Sequence, residues 1–284
     1  MAEDRVKERR AAARTAVDLA CQAGVVLLDW LTRLEREDIG RKSADCDLVT
    51  QADLASEKLI LDGLRESFPD DGILAEESGA SNLDAGHVWY VDPLDGTVNF
   101  VHRLPVFAVS IARVARGARA EPDVAVVHLP LLCETFVAVR DGGCTLNGAP
   151  ARVSRTGRPD DALLATGFPY RRRVLNDNNL ENFNRLFLRQ RGIRRMGAAA
   201  ADLAYVAAGR LDAFWELHLS PWDVAAGGLL VQEAGGTVDT LVPGGDWLHG
   251  RNLIAGPGAL VAELRQILLA GRGRDYPDLG ERAP

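Results

Sequence analysis

Two aspartates on one short turn are the residues best suited to chemistry in this sequence. The stretch WYVDPLDGTVNF, residues 89–100, has Asp92 at the end of an apolar run and Asp95 three positions later. Carboxylate oxygens suit hard divalent cations, the Leu94 carbonyl lies between them, and the amides after Asp95 would face a phosphate at a helix start. Asp-Pro and Asp-Gly are also common turn dipeptides. The stretch therefore indicates either a metal and phosphate site or a plain turn.

Further carboxylate positions could join this site. Glu76 and Glu77 end a β-rich run, and a hairpin partner could bring them to Asp92. Asp223, in SPWDVAAGG, opens a predicted helix, where it could serve the site or only favour the helix dipole. Asp53 follows a predicted helix N-cap by three residues, so capping and function are both open for it. Together these positions strengthen the metal interpretation.

Other catalytic chemistries find little support in the sequence. It has no P-loop, no GxGxxG between a strand and a helix, and no HExxH, CxxC or GxSxG motif. The five histidines do not cluster at ligand spacing, so each is interpreted as a surface or packing residue. The four cysteines are interpreted as small buried or half-buried thiols: Cys21, Cys46, Cys133 and Cys144. Acid–base chemistry must then come from carboxylates, hydroxyls or metal-activated water.

The composition is that of an ordinary globular protein. Its 284 residues are 47% hydrophobic and 26% charged, which excludes collagen-like, coiled-coil and disordered chains. A formal net charge of −7 argues against broad binding of nucleic acid or anionic membranes. The charged start MAEDRVKERR lacks the apolar core of a signal peptide, and no apolar run approaches the length of a membrane span. We expect a cytoplasmic protein that does not bind a membrane.

The spacing of apolar residues predicts two kinds of architecture. Helices are predicted over residues 5–36 and 50–67, separated by the loop RKSADCD. Short β-rich runs follow as an antiparallel meander, with Pro93 ending one strand. Strands then alternate with helices in the second half of the chain. We expect an α+β subdomain (1–154) and an α/β subdomain (155–270) in one continuous structural unit, then a flexible tail (271–284).

Three motifs, in this order, resemble the inositol monophosphatase family of magnesium-dependent, lithium-sensitive phosphatases. They are LAEES at 74–78, WYVDPLDGTVNF at 89–100 and PWDVAAGGLLVQEAGG at 221–236. Supporting stretches, among them CDLVTQAD at 46–53 and RRMGAAAADLAYVAAGRLDAFWE at 194–216, extend the resemblance over most of the chain. The resemblance implies a layered α/β/α/β/α sandwich that is usually a homodimer.

The resemblance also implies a site for two to three Mg²⁺ ions. It assigns one ion to Glu76, Asp92 and the Leu94 carbonyl, a second to Asp92, Asp95 and Asp223, and a third, bound through water, to the neighbourhood of Glu76. Catalytic roles fall to Glu76 and to Thr97 paired with Asp53, which would orient and deprotonate the attacking water. The substrate contacts that it implies are Leu94, Asp95, Gly96 and Thr97 at the phosphate, and Ala198, Ala199, Glu216 and Asp223 at the polyol hydroxyls.

By this resemblance the protein hydrolyses myo-inositol monophosphate to inositol and phosphate in one in-line step, without a phosphoenzyme. Other substrates of the superfamily are the alternatives, namely 3′-phosphoadenosine 5′-phosphate, fructose 1,6-bisphosphate and histidinol phosphate. Glu216 argues against bisphosphates, because an acidic group would repel a second phosphate. A different alternative is a regulatory partner in a transcription complex, a role known among bacterial relatives. The basic clusters at 171–173 and 194–195 are either solvated surface or contacts for phosphate, a second subunit or RNA.

Two departures from the family pattern concern single hydroxyls. Val98 stands where many members have a second Thr after Gly-Thr, and we expect a small effect because the metal ligands are intact. Ala198 follows Gly197 where bacterial relatives often have Ser, so affinity or substrate choice could shift. Because we expect Asp95 on an exposed turn, Asp95→Asn should remove turnover and leave the fold intact.

Overall fold

The computed structural model describes residues 2–42, 48–273 and 276–281 of the chain. The helices in these ranges are α1 (Ala2–Arg33), α2 (Gln51–Ser67), α3 (Thr97–Val101), α4 (Leu180–Leu186), α5 (Ala199–Ala207), α6 (Pro221–Glu233) and α7 (Gly258–Leu269). The strands of the first half are β1 (Ile39–Arg41), β2 (Leu48–Thr50), β3 (Gly72–Ala75), β4 (Gly79–Ser81), β5 (His87–Asp95), β6 (Ala108–Ala115), β7 (Glu121–Leu129), β8 (Glu134–Val139), β9 (Gly143–Leu146) and β10 (Ala149–Pro150). Those of the second half are β11 (Leu163–Thr166), β12 (Gly192–Arg194), β13 (Ala213–Leu217), β14 (Thr237–Asp239) and β15 (Asn252–Gly256).

Two larger sheets organise the molecule. The first has eight strands in the order β10-β9-β8-β7-β6-β5-β3-β4, and the second has five in the order β12-β11-β13-β15-β14. Most neighbours in the first sheet are antiparallel, as the predicted meander requires, but β3 and β5 run parallel. The second sheet mixes parallel and antiparallel pairs. Strands alternating with helices produce this second sheet, as the sequence predicts.

The eight-stranded sheet is covered on both faces, and β5 illustrates why. Successive side chains of a strand point to opposite faces. Trp89 and Val91 therefore pack with the apolar face of α1 and α2, whereas Val88 and Tyr90 pack with α5 and α6. All four of these side chains are buried. An apolar run without polar alternation is typical of a strand enclosed in this way.

The five-stranded sheet lies between the other two helical layers. On β13, Phe214 joins the core formed by α5 and α6, while Trp215 joins a separate core with α4 and α7. The order of layers is thus α1/α2, eight-stranded sheet, α5/α6, five-stranded sheet, α4/α7. This arrangement confirms the predicted α/β/α/β/α sandwich.

The N-terminal helix is long and apolar enough, by length and composition alone, to cross a membrane over residues 3–33. Core helices of soluble proteins pass the same test. One face of α1 is buried in the core with α2 and the eight-stranded sheet, through side chains such as Ala16, Ala23 and Leu27. Charged residues such as Arg14 and Asp18 interrupt its apolar runs, as the sequence predicts, and its many alanines raise the mean hydropathy.

Two local expectations were wrong. No hairpin brings Glu76 to Asp92: β4 forms the hairpin with β3, and β3 then pairs in parallel with β5. Pro93 does not end its strand, because β5 continues through an irregularity to Asp95.

The cysteines and the predicted loop also differ from expectation in part. Cys21 is half-buried and Cys144 is buried, as predicted, but Cys133 is exposed. Cys133 has a left-handed φ of 52° in the tight turn between β7 and β8, and this turn holds it at the surface. Cys46 and most of the predicted loop RKSADCD lie outside the described residues.

The segment predicted to be a flexible tail makes contacts in its described residues. The Asn176 amide donates to the Gly280 carbonyl at 3.0 Å, and Arg171 pairs with Glu281 at 2.6 Å. The Tyr276 hydroxyl donates to Asn182 Oδ1 at 2.6 Å. These contacts place this part of the segment beside α4 and the loop that precedes it.

Candidate metal and phosphate site

A β-bulge positions the two aspartates of the central motif. Asp92 lies opposite Ser110 and Asp95 opposite Ala108, so three steps along β5 match two steps along β6. The extra residue bends the strand and re-aims its side chains. Pro93 fits inside the bulge because it has no amide to donate. Both aspartates line one cleft of about 440 Å³ between the two sheets.

Asp92 is buried, with 2% of its surface exposed. Its Oδ1 accepts a hydrogen bond from the Leu94 amide at 3.0 Å. Glu76, just after β3, reaches it because the Glu76 amide extends the parallel ladder to the Val91 carbonyl at 3.1 Å. Burial, and then repulsion by neighbouring carboxylates with Glu76 first, raise the pKa of Asp92 well above its usual range.

Asp95 joins the eight-stranded sheet to helix α5. Its carboxylate accepts hydrogen bonds from the Ala199 amide at 3.2 Å and the Ala200 amide at 2.7 Å. Burial raises its pKa to about 7, and the Ala200 amide works in the opposite direction. With 9% exposure, Asp95 is not on an exposed turn, and that expectation was wrong because the start of α5 covers it.

Asp223 has both of the roles that the sequence left open. It is the third residue of α6, and its Oδ2 accepts from the Ser220 amide at 2.7 Å, which completes a capping box. It also lines the cleft with Asp92 and Asp95. Burial, followed by the repulsion of Glu76, raises its pKa well above the usual range.

Asp53 caps a helix and contacts Thr97, which lines the cleft. Its Oδ2 accepts from the amide and the hydroxyl of Thr50, at 2.8 and 2.6 Å, and this caps α2. Its Oδ1 accepts from Thr97 Oγ1 at 3.2 Å. The hydroxyl of Thr97 is equally close to the Leu94 carbonyl, also at 3.2 Å. Burial raises the pKa of Asp53 to about 6 against the Thr50 hydrogen bonds.

Lys42 is a member of the site that sequence reasoning missed. Its ammonium donates to Glu76 Oε1 at 2.7 Å and also pairs with Glu77. Burial lowers the pKa of Lys42, but attraction to Glu76 and hydrogen bonds to both glutamates outweigh that effect and raise it overall. The sequence did contain a signal for this residue, because Lys42 is one of three lysines in a chain that otherwise uses arginine.

The other wall of the cleft carries the groups implied for the polyol. Glu216, on β13, is half-buried, and burial raises its pKa to about 8 against the attraction of Arg195. Gly167 faces it, and a Cβ there would lie 2.1 Å from Glu216 Oε2, so only glycine leaves this carboxylate its space. Ala198 lines the same wall. The Ala199 amide differs from expectation because it already donates to Asp95.

Gly96 and Asn99 shape the turn that carries Thr97. Gly96 has a φ of 92°, and an added Cβ would lie 3.2 Å from the Ala198 Cβ, so the backbone conformation and the space both favour glycine. Asn99, a second missed residue, donates to the Val106 carbonyl at 2.6 Å and the Met196 carbonyl at 2.7 Å. These bonds fix the turn to the segment before α5. Val98 is half-buried and lies outside the residues that line the cleft.

The predicted basic clusters divide between cleft and surface. Arg171 and Arg195 line the cleft, and Arg171 also pairs with Glu281 at 2.6 Å. All five arginines of the two clusters are exposed, so each cluster has one side chain at the cleft and the rest on the outer surface.

The donor set fits a divalent cation such as Mg²⁺. Glu76, Asp92, Asp95 and Asp223 offer only oxygen, and their mutual repulsion in a buried cleft favours binding of positive charge. Within the described residues, no three His, Cys, Asp or Glu side chains are already gathered closely enough to coordinate a metal ion. Backbone amides already donate to Asp92, Asp95 and Asp223, and Lys42 already pairs with Glu76.

Comparison with known proteins agrees with the fold. The profile of the inositol monophosphatase family matches residues 8–270. A Nus factor SuhB from Pseudomonas aeruginosa is 46% identical over 246 residues, covering 85% of this chain and 89% of its own. An inositol-1-monophosphatase from Synechocystis is 43% identical over 235 residues, covering 82% and 81%. The solved extragenic suppressor protein suhB of Bartonella henselae superposes with a TM-score of 0.86 at 38% identity, covering 92% of this chain and 100% of that one. The chain therefore belongs to the inositol monophosphatase family.

Proposed function

We propose that this protein is a Mg²⁺-dependent phosphomonoesterase that hydrolyses myo-inositol monophosphate to inositol and phosphate. Family membership supports a phosphatase, and the substrate is our inference from the cleft. The observation that carries the proposal is that Glu76, Asp92, Asp95 and Asp223 line the same cleft as Thr97 and Glu216. One end of the cleft thus suits cations and phosphate, and the other suits hydroxyl groups.

Glu76, Asp92, the Leu94 carbonyl, Asp95 and Asp223 would hold two to three Mg²⁺ ions. The ions would supply Lewis acidity and neutralise charge on the transferring phosphoryl group. Thr97 orients the attacking water: its Oγ1 donates to Asp53 Oδ1, which leaves its lone pairs to accept the proton of the water. Asp53 is the acceptor to which that proton passes. Its pKa of about 6 places it near the working range of a general base.

The phosphate and the polyol have separate partners in this scheme. Backbone amides of Gly96 and Thr97 donate to phosphate oxygens, beside Leu94 and Asp95. Glu216 and Asp223 accept hydrogen bonds from polyol hydroxyls, and the backbone of Ala198 lies beside them. In its ionised form Glu216 repels a second phosphate, so we expect bisphosphates to become poorer substrates as the pH rises through its pKa of about 8.

The test is phosphate release from four substrates: myo-inositol 1-phosphate, 3′-phosphoadenosine 5′-phosphate, fructose 1,6-bisphosphate and histidinol phosphate. Each is assayed with Mg²⁺, with EDTA and with added Li⁺. We expect Mg²⁺-dependent, Li⁺-sensitive turnover that is fastest on the inositol phosphate. Preference for a bisphosphate would retain the metal site and reject the role of Glu216. We also propose that the enzyme is a cytoplasmic homodimer. Sedimentation of the purified protein tests whether it is a dimer.

A second candidate function is a contact with the transcription machinery. It is favoured by one observation, the 46% identity to a protein named Nus factor SuhB. Intact carboxylates at the cleft argue that such a role would add to catalysis and not replace it. A pull-down with purified RNA polymerase and its elongation factors at physiological salt tests the idea. Absence of binding there, together with phosphatase turnover, would reject it.

A further inference from the structure

Asp202 is a buried carboxyl group that the proposed reaction leaves unused. It lies in the first turn of α5, with 2% of its surface exposed, and it lines the cleft. Its Oδ1 has no hydrogen-bond partner among the described residues. Six side-chain atoms in the described part of the chain share that property, and Asp202 is the one whose residue lines the cleft.

A structural role does not account for this carboxyl group. The amides that open α5, those of Ala199 and Ala200, donate to Asp95, so Asp202 does not cap the helix. No ion pair of Asp202 is formed in the described residues, and Arg195 acts on it only through a longer-range attraction. A buried polar atom without a partner destabilises the folded protein. A group that lowers stability in this way is typical of a site that binds a ligand.

Asp123 shows what a structural buried aspartate looks like in the same protein. It has the same 2% exposure. Arg113 donates to both of its oxygens, each at 3.0 Å, and Arg9 approaches Oδ2 at 3.4 Å. The two aspartates are therefore equally buried, but Asp123 is paired within the protein and Asp202 faces the cleft.

We infer that Asp202 is a second hydroxyl-binding carboxyl group of the cleft, acting beside Glu216 on the leaving polyol. This inference rests on the proposed function. The surroundings agree with it. Glu216 and Asp95 are near enough to repel Asp202, and Arg195 is near enough to attract it. In either protonation state at least one of its oxygens accepts a hydrogen bond, so a hydroxyl donor of the polyol fits it.

The reactivity test compares two phosphate monoesters, myo-inositol 1-phosphate and phenyl phosphate, which carries no hydroxyl groups on its ring. For Asp202→Leu, which has no acceptor oxygen, we expect kcat/KM on the inositol phosphate to fall about tenfold, the usual effect of losing one polar contact in a site. Turnover of phenyl phosphate should be unchanged. Equal losses on both substrates would overturn the inference, because Asp202 would then act through Asp95 and the metal ligands.

The stability test uses Asp202→Leu, which removes the polar atoms and keeps the branched shape, with Asp123→Asn as the matched control. We expect Asp202→Leu to melt at or above the temperature of the parent protein and Asp123→Asn to melt below it with an unchanged substrate ratio. A fall in Tm for Asp202→Leu as large as that of the control would overturn the inference. If the parent protein hydrolyses neither ester with Mg²⁺, the proposed function fails and the inference with it. An active parent whose substrate ratio is unchanged in Asp202→Leu rejects only the role of Asp202.

Discussion

The backbone amide of Ala200 donates a 2.7 Å hydrogen bond to Asp95 Oδ2 across 105 positions of sequence. A proposed metal ligand on the eight-stranded sheet thus also holds the start of a helix in the middle layer. The site and the packing of α5 are therefore coupled, and a substitution at Asp95 acts on both.

Asp95→Asn should lower both activity and stability. The amide keeps one acceptor oxygen where the carboxylate has two, so one of the two α5 amides loses a partner, at about 1–2 kcal/mol. Loss of the ligand charge should reduce turnover by about a hundredfold or more. Phosphate release at saturating Mg²⁺ and thermal melting measure the two effects, with the exposed Asp160→Asn as control. Near-full activity would show that the site is misplaced.

Thr97→Val and Asp53→Asn should be non-additive. If Thr97 passes the proton of water to Asp53, removing either group breaks the same path, and each variant should lose about a hundredfold to ten-thousandfold in kcat. The double variant should then be no slower than the slower single one. Thr97→Ser should retain activity, and Val98→Thr should change it little. If the losses in kcat multiply in the double variant, Thr97 and Asp53 act independently and not on one proton path.

Stability in EDTA should fall as pH rises. Burial raises the pKa of Glu216 to about 8 from 4.5, so the native protein holds a proton that the unfolded chain has released. Linkage then makes the free energy of unfolding decrease between about pH 4.5 and 8. In Glu216→Gln the free energy of unfolding should depend less steeply on pH. Some dependence should remain, because the raised pKa values of Asp53 and Asp95 act in the same direction. Midpoints of denaturant unfolding at several pH values measure this dependence. The same slope of stability against pH in Glu216→Gln and in the parent protein would contradict the prediction.

Lys42→Gln should tighten Mg²⁺ binding. The ammonium of Lys42 competes with a cation for Glu76, so its removal should lower the Kd of Mg²⁺ a few-fold. Calorimetric titration without substrate measures the change. Lys58→Gln is the matched control, because Lys58 forms a lysine–carboxylate pair with Asp62 on the exposed face of α2. Weaker binding would mean that Lys42 orients Glu76 for the metal and does not compete with it.

A chain ending after Gly273 should raise KM a few-fold and lower Tm. The Asp177 amide donates to the Asp278 carbonyl at 3.2 Å, and the Asp177 carbonyl accepts from His218 at 2.6 Å, beside the cleft. Removing the segment takes away the first of these bonds. It also removes Tyr276 and Leu279, which pack against the core of α4 and α7, so stability should fall as apolar surface is exposed. A chain ending after Glu281 keeps these contacts and serves as the control. Equal KM values for the two chains would contradict the prediction.

Local chemistry could be predicted from the sequence because it depends on neighbouring residues. Thr50 and Asp53 predicted a capping box, and the structure has it. The apolar periods predicted the longer helices and the main strands in their order, since each period follows from local backbone geometry. Short strands such as β1, β4 and β9 were not predicted. The motif around Asp92 and Asp95 indicated the metal-ligand chemistry for the same reason.

Long-range relationships were decided only by the tertiary structure. Glu76 meets Asp92 through a parallel pair of strands, and a run of residues does not show which strands pair. Asp95 is covered by a helix that begins more than a hundred residues later, so its turn looked exposed in sequence. Lys42 at the carboxylates and the unpartnered Asp202 also depend on distant neighbours. By itself the sequence determined which groups are available and their local conformation; packing decided which charges face one another, because burial and electrostatic coupling depend on distance in space.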